Sequence, residues 1–280
     1  MEKTISEVEN KVKQTIKKYK LLNKKEKIIA AASGGKDSTA ALYILKKLGY
    51  NIEALYINLQ LGDYSERCEK AVQDLCKNLG VKMHILNIKE EFGMRMCNIR
   101  GGVQQRVKVS NCMVCGIVKK WMLNKQARKL KAKKIVTGHH LDDEAQTIIM
   151  NFLQGNLTLG ANGGPRTGII NDEKFVPRIK PLYFISEEEI KKYTQEMKLP
   201  VVYEKCPCAI SSLRIRTREY LNTLNKKTKE NIIHNFLKML PELREKLKQQ
   251  KVVYCEICGE PARNKTCKKC SLLKVNPKDN

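Results

Sequence analysis

Apolar residues recur at helical spacing from the start of the chain. Ile5, Val8, Val12, Ile16 and Tyr19 share one face across residues 5–22, opposite a cationic face, which predicts an amphipathic helix. The run Ile28-Ile29-Ala30-Ala31-Ala32 is short and continuously apolar, the pattern of a strand buried on both faces of a parallel sheet. Ala40–Leu45 reads as a helix, and Asn51–Asn58 and Lys82–Ile88 read as further strands. Between those strands, Ala71, Val72, Leu75 and Leu79 fall on one helical face. Cys115–Leu130 predicts a helix, Lys134–Thr137 a strand and Asp142–Leu153 a helix. Strands alternating with helices predict an α/β fold, a doubly wound parallel sheet.

The pattern then breaks. Gly155, Gly160, Gly163, Gly164, Pro165, Gly168, Pro177 and Pro181 interrupt residues 155–182, which read as one long functional loop. Helical patterning returns at Ser186, and Ser212–Leu247 reads as two helices dense in Arg and Lys. Tyr254–Leu273 is too short for an apolar core of its own.

Charge changes the picture. The 280 residues carry 54 Lys and Arg against 29 Asp and Glu, a formal net charge of +25. Such an excess, spread over every segment, points to a phosphate-rich partner, most simply nucleic acid. The plainer explanation is a Lys-rich proteome. No apolar run approaches the length of a membrane span. Met1 to Lys27 is Lys-rich without an apolar h-region, so no secretory signal is expected. Eleven cysteines with paired Cys-x-x-Cys spacings suit metal-bound thiolates in a reducing, cytoplasmic compartment better than disulfides.

Three constellations carry chemistry. Ser33-Gly34-Gly35-Lys36-Asp37-Ser38 lies between a strand and a helix. Its glycines let backbone approach phosphate, and a helix N-terminus offers free N–H groups. Ser33, Ser38 and Thr39 add hydroxyls, Lys36 a cation, and Asp37 a carboxylate for Mg2+ through water. It is not a Walker A loop, and its bland reading is a Gly turn with a Ser cap. Cys255-x2-Cys258-x8-Cys267-x2-Cys270 has the knuckle spacing of a tetrahedral Zn2+ site, able to fold some twenty residues without a core. Cys112-x2-Cys115 precedes the predicted helix, whose N-terminus would lower the Cys115 thiol pKa, and Cys206 lies far downstream. Three thiolates are one short of closing a metal or cluster site. Cys68, Cys76 and Cys97 lack partner spacing. Cys68 and Cys76 read as packing residues, and His84 and His234 as structural.

Ser-Gly-Gly-Lys-Asp-Ser resembles the PP-loop of the ATP pyrophosphatases (adenine nucleotide alpha hydrolase-like), which cleave ATP between the α- and β-phosphates and leave AMP on the substrate. Gly138-His139-His140-Leu141-Asp142-Asp143-Glu144-Ala145 resembles that family's second nucleotide motif, where members often carry Asn at the position of His140. Pro177-Arg178-Ile179-Lys180-Pro181-Leu182 resembles a third element whose cations face substrate or pyrophosphate. Cys112-Met113-Val114-Cys115-Gly116-Ile117-Val118-Lys119 is similar to the Cys-x-x-Cys-Gly-x-x-Lys pattern of TtuA-type tRNA 2-thiolation enzymes, with Glu204–Ala209 in the region of their third cluster ligand. The resemblance runs from Lys27 to Cys270. Relatives in this group carry a second zinc ribbon at the N-terminus, where this sequence has the cationic helix.

The resemblance implies an organisation. Residues 27–205 would be a PP-loop ATP pyrophosphatase domain, 206–250 a basic helical tRNA-binding extension and 251–280 a zinc ribbon, preceded by residues 1–26, outside the resemblance, which the periodicity predicts as a basic helix. It implies that Cys112, Cys115 and Cys206 hold a [4Fe-4S] cluster with one iron free. Lys119 and Asp143 join them as catalytic residues. Ser33–Ser38, Gly138, His139, Asp142, Arg178 and Lys180 would bind ATP and its Mg2+. The implied reaction adenylates a tRNA uridine at its C2 oxygen and then transfers sulfur. The donor would be a ubiquitin-like thiocarboxylate protein or inorganic sulfide, and the assembly a homodimer. Cys208 is a spare thiol, a persulfide carrier or a buried small apolar residue. The competing readings are a tRNA 2-thiocytidine synthase, an amide-forming ligase of the same superfamily, and a non-catalytic zinc-ribbon tRNA-binding subunit.

Overall fold

The structure, a computed structural model, describes residues 2–167, 172–209, 213–246 and 252–273. From the N-terminus the elements are α1 (Glu2–Lys18), β1 (Ile28–Ala32), α2 (Lys36–Lys47), β2 (Ile52–Asn58), α3 (Asp63–Leu79), β3 (Met83–Asn87), α4 (Ile88–Phe92), α5 (Met96–Gln104) and α6 (Asn111–Lys129). There follow β4 (Lys134–Val136), α7 (Leu141–Leu153), α8 (Leu157–Ala161), β5 (Arg178–Ile179), α9 (Glu187–Glu196), α10 (Leu213–Asn222) and α11 (Lys226–Lys246). The C-terminal segment holds β6 (Val253–Tyr254), β7 (Pro261–Ala262) and α12 (Lys268–Leu273).

The main sheet is parallel with strand order β3-β2-β1-β4-β5. Ile28 of β1 sits between Ile52 of β2 and Lys134 of β4. Both faces of β1 are covered, which is why it reads as a solid apolar run. Ile28, Ala30 and Ala32 face one core with Leu42, Leu45 and Tyr193. Ile29, one residue out of phase, faces the other core with Leu123, Ala127 and Ile135. Strand order reverses between β1 and β4, so the loops leaving those two strands flank a crevice at the carboxyl edge of the sheet, where open α/β sheets bind ligands.

Two elements, α8 and β5, depart from the sequence expectation. Helix α1 turns its expected apolar face into the core: Val8, Val12 and Ile16 are buried in it, and Glu9 pairs with Lys47 at 2.7 Å and accepts the Tyr193 hydroxyl at 2.9 Å. Residues 155–182 are not one loop. They include α8 and β5, and Ile179 is fully buried beside β4. Two residues of β5 carry no readable period, so only pairing with β4 defines the strand. Gly168 lies outside the described residues, as do 210–212, 247–251 and 274–280 of the expected extension and ribbon. Helices α10 and α11 pack on α7 through Leu221, Ile233, Phe236 and Leu240 against Leu141, Ala145 and Ile148. They thereby bring basic side chains to the rim of the crevice.

Candidate active site and metal centre

The loop after β1 is built by close approach. Gly34 has φ +77°, and a Cβ there would meet the Cys68 carbonyl oxygen at 2.7 Å, so the loop lies directly on the α3 backbone. Ser33 N–H donates to Ser38 Oγ at 3.0 Å, and Ser38 Oγ donates to the Gly35 carbonyl at 3.1 Å. The loop is closed from within before any ligand arrives. Helix α2 starts at Lys36, so Lys36, Asp37 and Ser38 form its first turn, the end that favours anions.

Lys36 Nζ pairs with Glu187 at 2.9 Å and with Asp37 at 3.2 Å. Burial would lower its pKa, but these two carboxylates hold it above the ordinary value. Glu187 also takes Arg218 at 2.7 Å, and against the opposing effect of burial its pKa falls to about 2. Asp142 is engaged on both oxygens. Its Oδ2 accepts the Glu187 N–H at 2.7 Å, and its Oδ1 pairs with Lys229 at 2.7 Å. The second motif therefore anchors α9 and α11 to the crevice.

His140 is buried among three carboxylates, 3.3 Å from Asp143, 3.6 Å from Asp142 and 3.8 Å from Asp37. Burial opposes its charge, but Asp143 and its neighbours raise its pKa. Burial, with Asp143 adding to it, pushes Asp37 up, while His140 and Lys36 work against the rise. Asp37 Oδ1 is buried and makes no hydrogen bond, with Lys36 Nζ 3.2 Å away as its ion-pair partner. Paired buried carboxylates are hard oxygen donors, so Asp37 and Asp143 are the residues suited to Mg2+. His139 donates to or accepts from Thr137 Oγ1 at 2.9 Å. Desolvation and the nearby Lys180 lower its pKa to about 3, so it is neutral at pH 7.

A cationic wall faces these acids. Lys120 lies among Arg178, Arg214, Lys180 and Lys268, and burial together with that crowding lowers its pKa. Arg178 donates to the Lys120 carbonyl at 3.2 Å and keeps a buried Nε without a partner. Lys180 is held by Glu144 at 2.7 Å in a buried ion pair. Uncompensated cations at this density are a site for phosphate oxygens. Glu187, Arg218, Lys229, Lys120 and Arg214 carry no motif, and only the packing of α9, α10, α11 and α6 brings them to the crevice.

Helix α6 begins at Asn111, capped by Ser110, so Cys112 and Cys115 lie on the helix instead of preceding it. Cys115 is in the second turn, where the helix dipole has faded. Burial pushes its thiol pKa up, with Arg100 and Lys119 pulling the other way, so the expected lowering does not occur. Cys112, Cys206 and Lys119 all lie within electrostatic reach of Cys115. The three sulfurs come from one end of α6 and from the segment after α9, beside the Lys119 ammonium. Among the cysteines of the described residues, only the four of the ribbon converge closely enough to chelate a single ion. The donor chemistry of the triple, thiolate sulfurs alone, is that of an iron–sulfur cluster.

Cys255, Cys258, Cys267 and Cys270 place all four sulfurs within 4.8 Å of one another, with Cys258 and Cys267 3.6 Å apart. Four Zn–S bonds of about 2.3 Å at tetrahedral angles need sulfurs about 3.8 Å apart, so the set fits Zn2+. Desolvation opposes ionisation at Cys255, yet backbone N–H groups bring its pKa down to about 6. The β6–β7 hairpin and α12 frame the site. The ribbon is docked on α6: Arg128 donates to Glu260 at 2.8 Å, and Lys269 Nζ sits 4.3 Å above the ring of Trp121. His84 pairs with Glu53 at 2.6 Å and His234 stacks on Phe184, both structural, while Cys68 and Cys76 are buried packing residues.

The crevice, the glycine-tight loop after β1 and the acid-rich motif after β4 define an ATP-binding α/β fold of the PP-loop kind, and the PP-loop domain family matches residues 4–223. The chain belongs to this family, in its TtuA-type tRNA 2-thiolation branch. The match begins within α1, upstream of the expected start at Lys27. A tRNA-5-methyluridine(54) 2-sulfurtransferase of Pyrococcus horikoshii is 37% identical over 267 residues, covering 94% of this chain and 84% of that protein. Cytoplasmic tRNA 2-thiolation protein 1 of Caenorhabditis elegans is 30% identical, covering 95% of this chain and 72% of that protein. The solved U34-tRNA thiolase NcsA from Methanococcus maripaludis, with its [4Fe-4S] cluster, superposes with a TM-score of 0.78 at 27% identity over 97% of this chain and 87% of its own. No helix among the described residues is long and apolar enough to cross a membrane.

Proposed function

We propose that this protein is an ATP-dependent tRNA uridine 2-sulfurtransferase acting in the cytoplasm. The observation that carries the reading is that the phosphate loop, beside the Asp37–His140–Asp143 cluster, rests through Gly34 on Cys68, and Cys206 of the triple lies within electrostatic reach of that same Cys68. The N-terminus of α2 and Lys36 bind ATP phosphates, displacing the Lys36–Glu187 ion pair, and Asp37 and Asp143 hold Mg2+. The wall of Lys120, Arg178 and Arg214 neutralises the departing pyrophosphate as the uridine O2 bonds to the α-phosphorus. A [4Fe-4S] cluster held by Cys112, Cys115 and Cys206 supplies, when bound, an open iron position for sulfur. Lys119 positions the anionic groups between that end of α6 and the nucleotide. Sulfur then bonds to C2, the C2–O bond breaks, and AMP leaves with that oxygen.

The excess of Lys and Arg on α10 and α11 supports tRNA as the partner. Inorganic sulfide or a thiocarboxylated ubiquitin-like carrier is the donor, and a homodimer is the assembly. The test is anaerobic incubation with ATP, sulfide and tRNA, followed by nucleoside mass spectrometry. A 2-thiouridine product with one AMP released per sulfur supports the reading, and the base modified decides between the wobble and T-loop uridines. AMP release without thiolation overturns it, and thiolation by a protein holding zinc but no iron overturns the cluster and leaves the persulfide route.

A further inference from the structure

Arg100 is buried, only 6% exposed, and its surroundings are unusual for a guanidinium. Among the described residues no carboxylate lies within ion-pair distance of it. Its Nη2 donates to the sulfur of Cys97 at 2.9 Å, and its Nη1 is buried with no hydrogen-bond partner. Cys208 and Cys115 also face its charge. An unpaired buried guanidinium is costly, and a free donor beside it adds the full cost of desolvation. Every neighbour that offers it compensation is a sulfur.

The arrangement is directional. Cys97 is exposed at the start of α5, Arg100 lies one turn along and inside, and Cys115 belongs to the triple beyond. The Cys208 backbone is fixed there, since its carbonyl accepts Asn111 Nδ2 at 3.0 Å, and Asn111 is held by Gln104 at 2.9 Å. Soft thiol sulfurs with one charged, fork-shaped donor suit a small, polarisable anion.

We infer that Arg100, with Cys97 and Cys208, forms an entry site for anionic sulfur, binding hydrosulfide next to Cys115 before it reaches the cysteine triple. The inference rests on the proposed sulfur-transfer function. Cys97 marks the solvent side of the site, Arg100 Nη1 supplies the free donor, and Cys208 lines the inner side. No covalent step is needed: the anion is held and passed on.

The test is binding of sodium sulfide to the full-length chain under anaerobic conditions, without ATP or tRNA. It is read by calorimetry on the cluster-free protein and by the change in electron paramagnetic resonance on the iron-loaded protein. Arg100→Met should weaken sulfide binding about 10- to 100-fold, the worth of one charge-assisted hydrogen bond. Arg100→Lys, which preserves the charge and the fold, should weaken it about tenfold by losing the fork. Iron content should be unchanged in both. Wild-type sulfide affinity in either folded variant overturns the inference. So does loss of iron in step with loss of binding, which assigns Arg100 to supporting the triple, or equal competition by chloride. Because binding is read without turnover, a protein that binds sulfide through Arg100 yet fails to thiolate tRNA refutes the proposed function and not this site. Normal thiolation at wild-type sulfide affinity in Arg100→Lys does the reverse.

Discussion

A Cβ on Gly138 would stand 2.6 Å from the carbonyl carbon of Asp37 and 2.7 Å from the Ser38 nitrogen. The two nucleotide motifs, about a hundred residues apart in sequence, thus meet backbone to backbone. No side-chain adjustment relieves a clash with main chain. Gly138→Ala should push the first turn of α2 away from β4, costing about 1–3 kcal/mol of stability. It should weaken ATP binding much more than tRNA binding, checked by calorimetry and filter binding on the same preparation.

Glu187 ties Lys36 and Arg218 together at the mouth of the crevice. Its folded pKa of about 2 lies below the ordinary carboxylate value, so its stabilisation is complete above about pH 4.5 and disappears as pH falls towards 2. Glu187→Gln should therefore be less stable than the parent at pH 6 and indistinguishable from it near pH 2. Denaturant titrations across that range show whether the two curves converge.

Lys180 and Glu144 form a buried pair at 2.7 Å beside the neutral His139. Removing one partner leaves a buried charge without compensation. Glu144→Gln should cost about 3–5 kcal/mol, whereas the double change Glu144→Gln with Lys180→Met should recover part of it. Thermal unfolding of the two variants measures the difference, and equal losses would mean that the pair contributes nothing specific.

Trp121 is the single tryptophan of the chain, and Lys269 of the ribbon stands 4.3 Å above its ring. If Zn2+ holds the ribbon together, chelation should release about one equivalent of zinc and change Trp121 emission as Lys269 leaves. Cys270→Ser should produce the altered spectrum without chelator. Zinc release with unchanged fluorescence would show that the ribbon stays docked without its metal.

Cys112, Cys115 and Cys206 offer thiols, whereas the phosphate loop offers the backbone N–H groups and the Lys36 cation that suit ATP phosphates. Changing any one of the three cysteines to Ser should abolish thiolation and iron binding while adenylation, tracked by pyrophosphate release, persists. Cys208→Ser should reduce thiolation at most. Iron analysis and pyrophosphate assays on the four variants separate sulfur delivery from activation.

What the residue order determined by itself is local. The apolar run of β1, the glycines of the phosphate loop, the acidic motif after β4 and the knuckles of the ribbon are each contiguous, and their chemistry follows from spacing alone. The parallel sheet followed from the alternation of strand and helix periods, and the family match agrees with it. Tertiary structure decided the rest. Strand β5 exists only because Arg178 and Ile179 pair with β4, and α1 is core because α9 and α2 cover its apolar face. Glu187, Arg218, Lys120 and Arg100 carry no motif, because an isolated charge reads as solvated surface until packing buries it. The Cys115 thiol is set by burial and not by the helix end that sequence spacing suggests. Desolvation depends on what surrounds a group in three dimensions, and no local pattern encodes that.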